Sequence, residues 1–289
     1  MKNSNSQLKV RFFGAACLTI ETNDCKILCD PWFSDGAFEG SWNRIEKPRN
    51  PVKDIGKVNY IYISHIHPDH YDKQFLSEYL NTYKDVEIII PKPKNINFLE
   101  KKITKDGFRS NSTNELFINN THIQIRSEDK GGTSDIDSLL VVKNRNKVCV
   151  NTNDMNLNHN DIEFLEKFEI DILCSKYCFP GPWPALFDLD ESEKIFEKEI
   201  HIERGKNNLK KLIENLKPKI TVPIAASSYW ASVNKDFEKY RATYDALELK
   251  KIYGDKIYIP REDGKSIISL NKDVVETSFE RNKRASLSW

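Results

Sequence analysis

The feature that most constrains this chain is a short apolar run that leads directly into a cluster of histidines and aspartates. Residues 61–63 have strand character, and residues 64–72 are Ser-His-Ile-His-Pro-Asp-His-Tyr-Asp. Pro68 has no amide hydrogen and a fixed φ, so it prevents the strand from continuing. Half of the six histidines in the 289-residue chain therefore lie at the exit of one strand. This clustering favours a functional site over a plain polar loop.

The spacing of these side chains indicates metal binding. In an extended segment, residues i and i+2 point the same way, so His65 and His67 can reach one ion. The turn imposed by Pro68 brings Asp69 and His70 toward a second position beside it. Imidazole suits zinc and iron, and a carboxylate among imidazoles is common in hydrolytic and oxygen-activating centres. We therefore predict a centre for one or two divalent metal ions.

A further acidic ligand is predicted from a strand farther along the chain. An Asn-rich turn joins two apolar β-rich runs, residues 138–142 and 147–150, as in a hairpin. The second run leads into Asn-Thr-Asn-Asp, so Asp154 leaves a core strand much as His65 does. We predict that Asp154 bridges two ions. The alternative is a helix-capping aspartate ahead of residues 161–168.

The pattern H-x-H-x-D-H at a strand exit resembles the metallo-β-lactamase superfamily. A narrower similarity, over roughly residues 10–245, is to the metal-binding domain of the CMP-N-acetylneuraminate hydroxylase family and its bacterial relatives. The matching segments are residues 30–32, 64–70, 151–154, 181–184 and 215–223. The resemblance implies an α/β (α+β) fold, an αββα sandwich of two mixed β-sheets flanked by helices. It assigns metal ligation to His65, His67, Asp69, His70 and Asp154.

The chain departs from the superfamily pattern in its remaining ligands. Common members add two isolated histidines, one between the first motif and the bridging acid and one near the C-terminal strand. The residues that could replace the first are His122, Glu128, Asp129, Asp135 and Asp137. The second has no counterpart, because residues 222–230 contain no histidine. A carboxylate-rich site of this kind shifts the metal preference from zinc toward iron or manganese.

Two segments are predicted to line a substrate mouth. Residues 34–51 form a long loop rich in Gly, Trp and Pro, and residues 177–184 form a stiff Pro/aromatic loop. The aromatic candidates for the site edge are Trp32, Phe33, Trp42, Tyr177, Trp183, Tyr229 and Trp230. Asp30 is either an acceptor that orients a ligand histidine or a turn residue before Pro31.

Charge and hydropathy exclude several classes of partner. The 44 basic and 43 acidic side chains leave a net charge of +1, so no strong field indicates nucleic acid or a membrane surface as a partner. No apolar run has the length of a membrane span or a signal core, so we expect a cytoplasmic protein. The six cysteines lie mostly in apolar runs without C-x-x-C spacing, which predicts reduced core thiols. No linker or repeat divides the chain, so we expect one domain over residues 1–289.

Hydrolysis is the function that we expect from this pattern. The substrate would be a polar small molecule, such as a phosphoester, lactone or nucleotide sugar, and Asp69 would steady a metal-activated water. The alternative is an iron-dependent oxygenase of a nucleotide sugar or similar substrate. It would need an external reductase, because the chain has no Cys-x-His boxes of a Rieske cluster. A third interpretation, a scaffold protein without the chemistry, has only the missing histidines in its favour.

Overall fold

Two β-sheets carry most of the strands in this computed structural model, which describes residues 7–128, 136–231, 235–271, 274–278 and 280–281. The strands are β1 (Gln7–Gly14), β2 (Cys17–Thr22), β3 (Lys26–Cys29), β4 (Trp42–Arg44), β5 (Tyr60–Tyr62), β6 (Glu87–Ile90), β7 (Ser110–Ser112), β8 (Glu115–Ile118), β9 (Thr121–Ser127), β10 (Ser138–Asn144), β11 (Lys147–Asn151), β12 (Ile172–Lys176), β13 (Ile220–Ile224), β14 (Ser228–Trp230), β15 (Ile267–Asn271) and β16 (Val274–Ser278). The helices are α1 (Pro51–Ile55), α2 (Lys73–Thr82), α3 (Phe98–Lys105), α4 (His159–Leu165), α5 (Glu191–Leu216) and α6 (Leu247–Tyr253), with 3₁₀ turns at Lys235–Tyr240 and Gly254–Lys256.

The first sheet has eight strands in the order β16-β15-β1-β2-β3-β5-β6-β7. β1, β2 and β3 form an antiparallel meander. From β3 onward the strands are parallel, with β3 beside β5, β5 beside β6 and β6 beside β7. Because the carboxyl ends of parallel strands meet at one edge of a sheet, Asp30 after β3 and the histidine segment after β5 emerge side by side.

The second sheet has six strands in the order β13-β12-β11-β10-β9-β8. β10 and β11 form the predicted hairpin, whereas β11, β12 and β13 are parallel. Asp154, Lys176 and Ala225 therefore lie at or just beyond the ends of three neighbouring strands. Ser138 Oγ donates a hydrogen bond to Ser64 O at 2.8 Å, which brings this edge against the histidine segment of the first sheet.

Apolar side chains fill the space between the sheets and the space beneath the helices. The central layer includes Val10, Ile20, Ile27 and Tyr62 from the first sheet and Ile123, Leu140, Cys149 and Ile172 from the second. Helices α1, α2 and α3 cover the outer face of the first sheet, and α4 and α5 cover that of the second. Each fully buried Leu or Ile contributes roughly 1.5–3 kcal/mol. This order of helix, sheet, sheet and helix confirms the predicted αββα sandwich.

A two-stranded ribbon lies apart from both sheets. β4 pairs antiparallel with β14, so that Trp42 is opposite Trp230. β4 falls within residues 34–51, for which the sequence indicates a loop, because a strand of three residues has no measurable periodicity. The ribbon ties this segment to a part of the chain that follows β13.

Other sequence-based expectations agree with the described structure. The apolar spacing of residues 191–216 predicts one or two amphipathic helices, and the structure forms one helix there, α5, of 26 residues. All six cysteines are buried, which confirms that they are core residues. Among the described residues, no helix combines the length and the hydropathy needed to cross a bilayer. The predicted basic tail, residues 281–284, lies outside the described residues except for Arg281.

Gly205 marks a close approach of α5 to the loop after β12. A Cβ at this position would lie 2.7 Å from Tyr177 O, which is shorter than real Cβ contacts. We expect Gly205→Ala to lower the free energy of unfolding by about 1–3 kcal/mol net, because the overlap outweighs the roughly 1 kcal/mol that alanine gains in a helix. Chemical denaturation measures this, with Gly181→Ala as the control, since a Cβ there would meet nothing within 4 Å. Equal losses in the two variants would contradict the close approach.

Candidate metal centre

The histidine segment turns back on itself directly after β5. His70 N donates to His67 O at 3.0 Å, which closes the turn that Pro68 predicts. The segment then enters α2, whose N-cap, Asp72, accepts from Phe75 N at 3.0 Å. A strand and a capped helix thus fix the segment at both ends.

His65 and His67 form a pair of facing imidazoles. His65 Nε2 lies 2.8 Å from His67 Nδ1, and the ring centroids are 4.6 Å apart. Ring nitrogens at this distance either share a proton or face a common cation. His65 is buried, whereas His67 is exposed on the wall of a cavity. The two side chains point the same way, as their spacing predicts.

His70 lies beside His65 among carboxylates. The ring centroids of His65 and His70 are 4.0 Å apart, and His70 Nε2 is 3.4 Å from Asp154 Oδ2 and 3.8 Å from Asp69 Oδ2. One ligand atom each of His65, His70 and Asp154 lies within 4.8 Å of the other two. The fold therefore brings together the five residues that the sequence indicates as ligands, and their role as ligands stays a prediction.

Asp154 belongs to this cluster and does not cap the following helix. The N-cap of α4 is Asn158, whose side chain accepts from Asp161 N at 3.1 Å in a capping box. The capping alternative for Asp154 is therefore wrong. His159, at the start of α4, is exposed and pairs with Glu163, away from the centre.

The charges of the cluster change the pKa values of its members. Burial lowers the pKa of His65 well below its ordinary value, and His70 lowers it further. Burial alone would lower the pKa of His70, but Asp69, Asp154 and Asp30 raise it well above its ordinary value. Burial raises the pKa of Asp69. Burial also favours a higher pKa for Asp154, but the nearby His70 outweighs it and holds the pKa of Asp154 below its usual range. The carboxylates therefore attract positive charge to the place where the imidazoles converge.

This donor set fits a divalent cation. Asp69 Oδ1, Asp137 Oδ1 and Asp154 Oδ1 are buried and have no hydrogen-bond partner among the described residues. A buried carboxylate oxygen without a partner is costly unless positive charge compensates it. Imidazole nitrogens together with carboxylate oxygens are the ligands of zinc, iron and manganese centres. The residues present thus suit the metal that the sequence pattern predicts.

Asp137 reaches the centre from the start of β10. Its Oδ1 lies 3.6 Å from His65 Nδ1. Glu128 is adjacent, because Glu128 N donates to Asp137 O at 2.8 Å. Asp129 and Asp135, which the sequence offers as alternatives, lie outside the described residues. Of the alternatives, Asp137 thus has a contact with a ligand histidine.

His122 lies far from the centre, so the prediction that it could complete the ligand set is wrong. It pairs with Lys143 on β10, five residues from Ser138, where β10 meets the centre. At about 3.3 Å per residue, this separation is roughly 16 Å. The His122 ring instead stacks on Phe117 with centroids 4.0 Å apart, and its Nε2 is 3.2 Å from Glu115 Oε2.

Asp30 contacts both the start of the histidine segment and the ligand candidate His70. It is fully buried; its Oδ1 accepts from Ser64 N at 2.7 Å, and its Oδ2 lies 3.2 Å from His70 Nδ1. Ser64 Oγ in turn lies 2.9 Å from His65 Nδ1. Such contacts orient ligand histidines in metal sites. Both sequence interpretations of Asp30 therefore apply, because it also turns the chain after β3 with φ at 43°.

Asp30→Asn should weaken metal binding by about 10- to 100-fold and leave the fold intact. Asparagine tolerates the left-handed backbone and keeps an oxygen for Ser64 N, but it removes the negative charge that lies 3.2 Å from His70 Nδ1. Competition with a chromophoric chelator measures the affinity. Asp85→Asn, which removes an exposed carboxylate paired with Lys57, is the control. Unchanged affinity in Asp30→Asn would contradict the orienting role.

A cavity of about 650 Å³ opens onto the centre, and His67, Asp69 and Asp154 line it. Side chains from residues 38–42 and 178–182 contribute to its walls, where the sequence predicts mouth-lining loops. Of the aromatic candidates, Trp42 and Trp230 line the cavity. The candidates that do not line it are Trp32, Phe33, Tyr177, Trp183 and Tyr229. Ala225, which lies within the histidine-free residues 222–230, lines the cavity but supplies no ligand atom.

Lys176 is a member of the site that the sequence analysis missed. It ends β12, lines the cavity, and its Nζ donates to Asp154 O. The signal that identifies Asp154, a charged residue at the end of a buried strand, was also present at Lys176. To assign Lys176 to the site from this signal, one must know that β11 and β12 are adjacent and parallel.

Residues 9–175 match the sequence profile of the Beta-lactamase superfamily domain. The chain is 28% identical over 201 residues to a Mycolicibacterium smegmatis protein that carries the name Rieske 2Fe-2S iron–sulfur protein, covering 65% of this chain and 37% of that one. It is 21% identical over 239 residues to the cytidine monophosphate-N-acetylneuraminic acid hydroxylase of Danio rerio, covering 76% and 38%. The chain thus spans less than two fifths of the length of these relatives.

Solved structures with a similar fold include a hydrolase and a hydroxylase. The isothiocyanate hydrolase from Delia radicum gut bacteria matches with a TM-score of 0.61 and 18% identity, over 91% of this chain and 98% of that one. CmlA, a diiron β-hydroxylase from Streptomyces venezuelae, matches with a TM-score of 0.56 and 12% identity, over 92% and 54%. At these identities the likeness shows the fold alone. Since the profile match covers more than half of its length, the chain belongs to the metallo-β-lactamase superfamily, whose members are metal-dependent hydrolases or hydroxylases.

Proposed function

We propose that this chain is a metal-dependent hydrolase of a small molecule. The residues that would hold one or two divalent cations are His65, His67, Asp69, His70 and Asp154. The proposal rests on one observation: at one end of an open cavity, imidazole nitrogens meet carboxylate oxygens that have no hydrogen-bond partner among the described residues. A divalent cation bound there supplies Lewis-acid polarisation of the substrate and lowers the pKa of a water.

Asp69 is the residue that we assign to the nucleophilic water. Its Oδ2 lies 3.8 Å from His70 Nε2, and its Oδ1 has no hydrogen-bond partner among the described residues. Asp69 also lines the cavity from which a substrate would approach. Because burial raises its pKa, this carboxylate is a better proton acceptor than an exposed aspartate. Asp69 would orient the water and accept its proton.

The cavity supports a small-molecule substrate. Its volume of about 650 Å³ lies within the range of small-molecule sites, roughly 300–1,000 Å³. The similarity to the isothiocyanate hydrolase extends over 98% of that chain, which agrees with hydrolysis by a unit of this size. We propose no nucleic-acid or membrane partner, because the net charge of +1 provides no strong field.

Oxygenation is the second candidate, and the ligand set is the observation that favours it. Asp69, Asp137 and Asp154 contribute carboxylates to the cluster, whereas Ala225 supplies no imidazole at the end of β13. A donor set rich in carboxylate prefers iron or manganese to zinc. The hydroxylases among the relatives and the similar structures agree with this alternative. Such an enzyme would take electrons from a separate reductase.

Metal analysis combined with two assays separates the candidates. The metal content of the purified protein is measured, and the protein is then stripped and reconstituted separately with Zn²⁺ and with Fe²⁺. Each form is assayed for hydrolysis of bis(p-nitrophenyl) phosphate, p-nitrophenyl acetate and a homoserine lactone. The same forms are assayed for reductant-dependent oxygen uptake.

We expect hydrolysis that depends on the added metal and little oxygen uptake. Bound iron with reductant-dependent oxygen uptake, and without hydrolysis, would replace the hydrolase by the oxygenase. A protein that binds no metal after reconstitution would contradict both proposals and support the scaffold interpretation.

A further inference from the structure

The cavity has two chemically different ends. The polar end consists of His67, Asp69, Asp154 and Lys176. The apolar wall includes Phe38, Trp42, Phe179, Leu186 and Trp230. Away from the metal centre, the hydrogen-bonding side chains among the described residues that line the cavity are those of Glu39 and Ser41 and the indole N–H groups of Trp42 and Trp230. A ligand that fills this space must therefore combine one polar group with a largely apolar body.

Arg241 fixes the apolar wall in place. Its guanidinium lies 5.1 Å from the Trp42 ring centroid and 4.8 Å from that of Trp230, the pair that face each other across the ribbon. Arg241 is buried and donates to Pro180 O at 3.0 Å and to Ser228 O at 2.5 Å. These bonds connect the ribbon to the loop after β12, which also lines the cavity. The wall is thus ordered before a ligand binds, which reduces the entropic cost of binding.

Lys176 supplies positive charge where the two ends meet. It is the one lysine or arginine among the described residues that line the cavity. Its Nζ donates to Asp154 O in the metal centre and lies 5.5 Å from the ring centroid of Phe179 in the apolar wall. An ammonium group has three hydrogens, and this bond uses one, so within the described part of the chain two are available to an anionic ligand. Charge-assisted bonds of this kind are stronger than neutral ones.

We infer that the cavity binds an amphipathic anion, a compound with an aromatic or aliphatic body and one carboxylate or phosphate group. The inference rests on the proposed function, because the anionic group would bind Lys176 beside the metal centre. The apolar body would then lie against Trp42 and Trp230. A nucleotide sugar fits poorly, because its many hydroxyl groups would lose hydrogen bonds to water and find few replacements on this wall.

Isothermal titration calorimetry with three probes tests this inference. 1-Naphthaleneacetate has an apolar body and one carboxylate, 1-naphthaleneacetamide has the same body without charge, and CMP is an anion with a polar body. Each probe is titrated into metal-free and into zinc-loaded protein. We expect naphthaleneacetate to bind the zinc-loaded protein at least about tenfold more tightly than the other two probes. It should bind the metal-free protein more weakly, because Asp69 and Asp154 line the same end of the cavity and repel an anion when no cation neutralises them.

Variants of Lys176 test whether its ammonium group causes the preference for naphthaleneacetate over the amide. Lys176→Met should reduce the affinity for naphthaleneacetate to that of the amide and leave the affinity for the amide unchanged. Lys176→Arg should retain the preference, because the charge is kept. The control for net charge is Lys57→Met, which removes an exposed lysine paired with Asp85. The metal content of each variant is measured in parallel, since Lys176 also contacts Asp154.

Equal affinities for the acid and the amide, tighter binding of CMP, or no binding of either naphthalene compound at millimolar concentration would overturn the inference. The comparison within the wild-type protein does not depend on the folding of any variant. Binding with the expected preference but without hydrolysis would contradict the hydrolase proposal alone. Hydrolysis without this preference would contradict the inference alone.

Discussion

The His67→Ala variant should lose bound metal and all metal-dependent turnover. His67 Nδ1 faces His65 Nε2 at 2.8 Å, so removing its imidazole leaves His65 Nε2 without the ring nitrogen that would share the ion with it. Loss of an outer hydrogen bond to a ligand already costs about 10- to 100-fold in metal affinity. We therefore expect the loss of a direct ligand to cost more than about 100-fold.

His67 is the suitable histidine for this test because it is exposed. Alanine leaves no void there, whereas His65 and His70 are buried. The metal-to-protein ratio after dialysis is the measurement, and thermal denaturation of the metal-free forms shows whether the fold is retained. The matched control is His159→Ala, which removes an exposed histidine paired with Glu163 at 3.1 Å. An unchanged metal ratio in His67→Ala, or an equal loss in the control, would contradict the ligand assignment.

Much of the centre was predictable because its residues belong to short patterns. The segment from His65 to His70 follows β5 directly, and the strand period together with Pro68 determines which side chains converge. Asp154 was identifiable because it follows a buried strand. The choice between ligand and helix cap needed the structure, since Asn158 and Asp154 both precede α4 and both residue types can cap a helix.

Residues whose role depends on pairing between distant segments could not be identified in this way. The register of β9 against β10 places His122 at the far end of the strand pair and Asp137 at the near end. No local pattern distinguishes these two residues. Lys176 likewise reaches Asp154 because β11 and β12 are neighbours. The contacts of Arg241 depend on the β4–β14 ribbon, which is too short to have a period.

The sandwich was predictable for a related reason. Alternating and continuous apolar runs identify most strands, and the resemblance to a known superfamily supplies their arrangement. The sequence indicates one or two short strands near the C-terminal end. It does not indicate that β15 pairs with β1 and extends the first sheet, because that contact joins opposite ends of the chain. Local periodicity identifies elements, whereas the neighbours of each element follow from packing.

Asp72→Ala should lower the free energy of unfolding by about 3–5 kcal/mol. Asp72 is buried, and its Oδ2 accepts from Phe33 N at 2.8 Å and from Ser34 N at 2.7 Å. Its Oδ1 accepts from Ser34 Oγ at 2.9 Å and from Phe75 N at 3.0 Å. Alanine removes all of these acceptors at once. The loss of a helix cap costs about 1 kcal/mol, and each buried donor left without a partner costs about 1–3 kcal/mol.

A second cap separates the two roles of Asp72. Asn50 caps α1 by accepting from Lys53 N at 3.1 Å, but this cap is exposed, so Asn50→Ala should cost only about 1 kcal/mol. The excess loss in Asp72→Ala then measures the tie between the loop after β3 and the start of α2. Since Asp30 precedes that loop and His70 precedes Asp72, the variant should also bind metal more weakly under conditions where it remains folded. Equal losses in the two variants, measured by chemical denaturation, would show that the tie contributes nothing and that Asp72 acts only as a cap.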